Sequence, residues 1–272
     1  METEIRPQAK FGLGLRELWE YRELFYFFTW RDIKVKYKQT ALGFLWAVLQ
    51  PLILAFLFSF FLGRAISSYT SMSMPYEIFA LSGLVIWGIF SSGLNNAGNS
   101  MVSNAGIIRK IYFPRLIIPL SAVLVGLFDF IMAFAVFIVY CLIRDISFTW
   151  KAIFYFPFAV VLTCIATFGA GSLLAALNVK YRDFRYIIPF LIQLLLFLTP
   201  VIYPVSITEN KFLVTLLSLN PMSAPLQIFR ASFSGEALEA NSLLMSIGVS
   251  LALLVAGLVY FRKTEAYFAD LA

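Results

Sequence analysis

Histidine is absent from this chain of 272 residues. That removes the usual general base, the Ser-His and Cys-His nucleophile pairs, and every histidine-based metal site. Cysteine is nearly absent. Cys141 and Cys164 both lie inside apolar runs, so neither a disulfide framework nor a zinc site is indicated. No glycine is followed by lysine, which excludes a phosphate-binding P-loop and ATP hydrolysis by this chain. No Asp-x-Asp pair occurs, so a metal-dependent sugar transferase lacks its usual signature. Charge is also scarce: 13% of residues carry one, against about 25% in an average soluble domain.

What the chain has instead is apolar length. Its apolar fraction is 61% and its mean hydropathy is +0.84, against about 45–50% apolar for soluble domains. These values describe an integral membrane protein. A formal charge of +6 would suggest nucleic acid in a soluble protein. Here basic loops on the cytoplasmic face of a membrane account for it, and no nucleic acid is expected. Residues 1–40 carry fourteen charges and no early apolar core, so the start does not read as a signal peptide.

Six uncharged or nearly uncharged runs follow: 41–62, 78–94, 116–143, 152–179, 186–203 and 243–261. A span takes about 17–25 residues. The third and fourth runs have 28 residues each, about 42 Å as helix, and should tilt or project. A seventh run, 212–229, holds Asn220-Pro221 and Pro225 near its middle. Proline deletes a donor and turns the preceding residue from helix. This run reads as two half-helices that enter the membrane and return, with a kinked seventh span as the alternative. With six spans, sixteen lysines and arginines fall on one side and five on the other. The richer side is cytoplasmic and holds both termini. The expected fold is all-α: residues 1–40 as a cytoplasmic extension, 41–261 as a six-span domain with a Pro-broken re-entrant segment before the last span, and 262–272 as a cytoplasmic tail.

Five features bear on function. Leu15, Leu18, Trp19, Phe25 and Phe28 recur at near-helical spacing among charges, which suits an amphipathic helix in the membrane interface, as anchor or more. Arg31, Lys34, Lys36 and Lys38 follow, placed for anionic headgroups. The stretch from Ser103 to Arg115 reads as a short helix capped by Ser103 or Asn104 and stopped by Pro114. Its Arg109, Lys110, Tyr112, Phe113 and Arg115 would make a docking surface for a partner, or else an ordinary basic loop. Ser92, Asn95, Asn96, Asn99 and Ser103 share one helix face. They either line a wet path or bond to neighbouring helices. Asp129 sits at the midpoint of its run, where a carboxylate costs about 2.5–3.5 kcal/mol to insert. No other spanning segment offers it a cation, so a hydrogen-bonded packing role is preferred to a functional one. Phenylalanine occurs 29 times and tyrosine 13 times. Most such rings face lipid or core, but Phe56, Phe60 and Tyr203 are placed to stack on sugar. The small residues Ala166, Ala170, Gly171 and Ala175 indicate close helix packing.

Several segments resemble one family, the permeases of polysaccharide-exporting ABC transporters. Trp30-Arg31-Asp32-Ile33-Lys34, Tyr37-Lys38-Gln39-Thr40, Leu42-Gly43, Trp46 and Gln50-Pro51 resemble its opening. Arg109-Lys110-Ile111-Tyr112-Phe113-Pro114-Arg115 resembles its first cytoplasmic loop. Tyr181-Arg182-Asp183, Pro189, Thr199-Pro200-Val201-Ile202-Tyr203-Pro204 and Asn220-Pro221 resemble its later half. The resemblance runs from about residue 20 to the end. It implies a homodimer in the cytoplasmic membrane with two ATP-binding cassette subunits, which bind the ATP. This chain itself is expected to hold no cofactor, no metal and no catalytic site. The implied cargo is a lipid-linked O-antigen, capsular polysaccharide or teichoic acid. The implied coupling helix lies at 104–115. An exporter of the same fold for a drug or lipid is one alternative. A membrane-embedded lipid or sugar transferase is another, though the sequence offers no catalytic cluster for it.

Overall fold

The computed structural model describes residues 15–38, 43–69, 74–208, 210–235, 237–265 and 268. Parts of the expected N-terminal extension and tail, with Gln39, Thr40 and Leu42, lie outside the described residues. The described residues form helices and no strand. In chain order these are α1 (Leu15–Glu20), α2 (Arg22–Lys38), α3 (Leu45–Tyr69), α4 (Tyr76–Ser103), α5 (Ala105–Ile108) and α6 (Ile117–Ile143). Then follow α7 (Ala152–Lys180), α8 (Phe184–Leu198), α9 (Lys211–Ser218), α10 (Ser223–Ser234) and α11 (Ala240–Glu265).

Among the described residues, five helices are long and apolar enough to cross a membrane: α3, α4, α6, α7 and α11. The run at 186–203 forms α8, which has 15 residues, about 22 Å at 1.5 Å per residue. The hydrocarbon core is about 30 Å, so α8 is too short to cross it as a helix. α8 stops because Thr199 precedes Pro200 and is extended, at φ −104° and ψ 139°. α9 and α10 are bent by 93° at the Asn220-Pro221 break. Neither half is long enough to span alone.

Broken backbone inside a membrane must find new partners, and here it finds side chains. Thr199 Oγ1 donates to the Leu195 carbonyl at 2.6 Å and Tyr203 Oη to that of Phe197 at 2.8 Å. Asn220 Nδ2 reaches the Leu198 carbonyl at 3.3 Å, and Tyr76 Oη that of Ile202 at 2.7 Å. The carbonyls of Pro200 and Val201 both accept from Arg230. The second break is served by α11. Ser246 donates to the Asn220 carbonyl at 2.7 Å and accepts from the Ala224 nitrogen at 2.9 Å. Ser250 donates to the Pro221 carbonyl at 3.1 Å, and Ser242 accepts from Ser218 and Gln227.

α4 is the central helix, packed against α6 and α7. Its glycines permit this. A Cβ on Gly93 would lie 2.6 Å from the Thr167 side chain, and one on Gly126 would lie 3.0 Å from the Gly93 nitrogen. Gly171, expected to mark close packing, faces Ala97: a Cβ there would lie 2.7 Å from that of Ala97. Gly169 does the same for α11, with the Leu254 nitrogen 2.5 Å from where its Cβ would be. Two main apolar clusters result among the described residues, beside a small third at Ala97, Ala122 and Val123. The larger includes Phe130, Phe137, Phe229 and Phe233. The smaller joins Phe28, Met101, Phe113, Val179 and Phe261 where α2 meets the bundle.

Candidate functional site

Two helices stand apart from this packing. α8 has Ile188 as its one buried residue, and α3 exposes Phe56, Phe60 and Phe61. Between α3, α4, α6 and α8 lies a groove of 840 Å³. Its polar residues come from five elements. α4 supplies Ser92, Asn95 and Asn96, which the three- and four-residue spacing puts on one face. α6 supplies Asp129, α3 Gln50, α8 Gln193, and α2 supplies Lys36 and Tyr37. Trp46, Leu54, Leu84, Trp87, Phe130 and Leu196 form apolar wall. Pro51 and Pro189 also line it. Each lacks the N–H that would occupy the carbonyl four residues back, at Ala47 and Arg185. A surface with hydroxyl, amide and carboxylate groups beside two indole rings suits a solute that is hydroxyl-rich yet has apolar ring faces.

The Asp129 carboxylate organises one end of the groove. Lys36 Nζ lies 2.5 Å from its Oδ2, Ser92 Oγ donates to the same oxygen at 3.0 Å, and Tyr37 Oη donates to Oδ1. Burial, reinforced by that carboxylate, holds the Tyr37 phenol above its ordinary pKa, so the phenol stays a donor at neutral pH. Asp129 thus has a cation although no other spanning segment offers one. The partner comes from α2, which is not a spanning segment, and 93 residues earlier in the chain.

The expected polar stripe divides. Ser92, Asn95 and Asn96 line the groove. Asn99 instead accepts from Asn178 of α7 at 3.1 Å and donates to the Asn95 carbonyl at 2.9 Å. Phe56 and Phe60 stack on each other at 6.4 Å on the exposed face of α3, outside the groove lining. Tyr203 is also outside that lining, half-buried, with its hydroxyl on Phe197.

The loop at 104–115 is less helical than expected. α5 has four residues, and turns rather than Pro114 end it. Asn104 does not cap it. Its Nδ2 donates back to the Ser100 carbonyl at 2.8 Å, and its Oδ1 accepts from Arg31 at 2.7 Å. Gly106, Ile107 and Ile108 are moderate to poor helix formers. Within the loop, Arg109, Lys110, Ile111 and Tyr112 are exposed. Phe113 and Pro114 are buried, with Phe113 5.6 Å from the Phe28 ring. Arg115 turns inward to the Glu265 carbonyl. Phe113 therefore faces this chain rather than a partner.

Two features escaped the sequence reading. Arg230, counted among outer-loop cations, is 7% exposed inside the fold. Its guanidinium lies 3.5 Å over the Phe79 ring and donates to Pro200 O at 2.8 Å and Val201 O at 2.6 Å. The second is the serine row of α11, whose four-residue spacing was the signal available.

This chain belongs to the ABC-2 type transporter family, whose membrane-domain profile matches residues 23–234. It is a multi-pass membrane protein, and membership implies a partner subunit that binds ATP. Among curated relatives, the O-antigen export system permease protein RfbA of Myxococcus xanthus is 30% identical over 262 residues, covering 94% of this chain and 98% of that protein. RfbA of Klebsiella pneumoniae is 28% identical, covering 89% and 92%. The polysialic acid transport protein KpsM of Escherichia coli is 26% identical, covering 86% and 91%.

Proposed function

We propose that this chain is the membrane subunit of an ATP-driven exporter of a lipid-linked polysaccharide, of the O-antigen, capsule or teichoic acid kind. The observation that carries the proposal is the groove: amides, hydroxyls and indole rings between α3, α4, α6 and α8. Two copies pair through the exposed faces of α3 and α8, so that two grooves face one path. Phe56, Phe60 and Tyr203 flank that path beyond the groove. Sugar rings slide along such a surface because ring faces hold them without fixed hydrogen bonds.

Residues 1–40 act as the interface-bound extension, 41–261 as the spanning domain and 262–272 as the tail. Both termini lie in the cytoplasm, on the charge bias of sixteen to five. Two ATP-binding cassette subunits dock on the exposed loop residues Arg109, Lys110 and Tyr112. Asn104, Phe113, Pro114 and Arg115 hold that loop to the rest of the chain. The double variant Arg109→Glu/Lys110→Glu tests this reading. It should insert normally, lose most of its ATPase partner and accumulate polymer inside the cell. Normal export with the ATPase retained would sink the coupling assignment. Accumulation of a drug or free lipid instead of polymer would favour the exporter of the same fold but other cargo. In the same cells a cysteine at position 210 should react with an impermeant thiol reagent from outside. Reaction at position 182 instead would reverse the orientation.

A further inference from the structure

One helix outside the spanning bundle touches both the exposed loop and the groove. Midway along α2, Phe28 packs on Phe113, and Arg31 bonds Asn104 at 2.7 Å while lying 4.8 Å over the Phe28 ring. Five residues further, about 7.5 Å along the helix, Lys36 and Tyr37 reach Asp129 at the groove. A helix moves as a body over such a distance. Any displacement of the loop at 104–115 is therefore felt at Asp129.

The bond is built to open from one side. The Lys36 side chain is 39% exposed and that of Asp129 13%. On release the ammonium, the more exposed partner, returns to water, and the cost falls on the less exposed carboxylate. Asp129 keeps Ser92 as a donor on its own side of the groove. With the latch shut, a lysine and a tyrosine side chain stand across the groove end.

We propose that Lys36 and Tyr37 are a latch, closing the α2 end of the groove on Asp129 until movement of the 104–115 loop draws α2 away. This rests on the reading of the groove as the path. It assigns α2 a gating role beyond anchoring. A fixed brace is the competing account, and it makes a different prediction.

The test uses the full complex with its ATPase subunits, with Cys141 and Cys164 replaced by alanine. Ala47→Cys places a reporter thiol in the groove lining. Its rate of reaction with a bulky thiol reagent is measured with and without ATP, beside export before and after labelling. The latch requires Lys36→Gln to raise the ATP-free rate about tenfold, to the level ATP produces in the parent. Exchanging the charges, Lys36→Asp with Asp129→Lys, should return the rate toward the parent value. An unchanged rate in Lys36→Gln, while labelling still blocks export, overturns the latch and leaves the groove reading intact. A lowered thermal midpoint with no change in rate shows a brace and also overturns it. Export indifferent to labelling removes the groove from the path, and the latch with it.

Discussion

The two ends of the bundle are held together by different chemistry. At the α2 end, side chain meets side chain across separate elements: Lys36 with Asp129, Arg31 with Asn104, Phe28 with Phe113. At the α10 end, side chains meet backbone: Arg230, Asn220, Tyr203, Tyr76 and the α11 serines occupy carbonyls that prolines have set free. The difference follows from what each contact replaces. The more exposed cation of an ion pair has water as its alternative, which lowers the cost of breaking the pair. A carbonyl in hydrocarbon has no alternative, so losing its donor costs the full desolvation penalty. One end is therefore suited to move and the other to stay.

Arg230 should show the largest effect. Arg230→Met keeps much of the volume but strands two carbonyls, at about 1–3 kcal/mol each. About 3 kcal/mol corresponds to a fall of roughly 6–12 °C in the thermal midpoint of a chain this size. Arg230→Lys should recover little, because an ammonium cannot fork to Pro200 and Val201 as the guanidinium does. A midpoint within about 2 °C of the parent for Arg230→Met would erase the contrast between the ends.

Arg31 sharpens the comparison from the other side. Arg31→Ala removes bonds to Asp32 and Asn104, but its side chain is 28% exposed and its pair with Asp32 is on one helix. The expected stability loss is about 1 kcal/mol. Export should nevertheless fall about fivefold, the low end of the range for coupled sites, with the ATPase still bound. Parallel losses of stability and export would make the α2 end as static as the other.

The same contrast explains what the sequence made legible. Spans and breaks were readable because hydropathy and proline act locally, so the runs became α3, α4, α6, α7 and α11 and Asn220-Pro221 became a 93° bend. The polar face of α4 was readable for the same reason. What escaped depends on residues far apart in the chain. Asp129 finds its cation on a helix that a search of spanning segments passes over. Charge counting treats every loop cation as exposed, which misplaced Arg230. The loop helix was overestimated because Asn104, a good cap by type, spends its side chain on Ser100 and Arg31.

Tyr203 gives the smallest and most discriminating effect. Its hydroxyl holds the Phe197 carbonyl at 2.8 Å, at the frayed end of α8. Tyr203→Phe removes that one bond and keeps the ring. It should cost about 1 kcal/mol and leave the rate of export per folded complex unchanged. Tyr203→Ala removes the ring as well. If the ring meets sugar, Tyr203→Ala slows the export of long chains beyond what its folded yield explains, while Tyr203→Phe does not. Chain-length profiles of exported polymer, normalised to folded complex, separate the two. Equal per-complex rates for both variants would take Tyr203 off the path. It would then belong wholly to the static end, as one more donor to a broken helix.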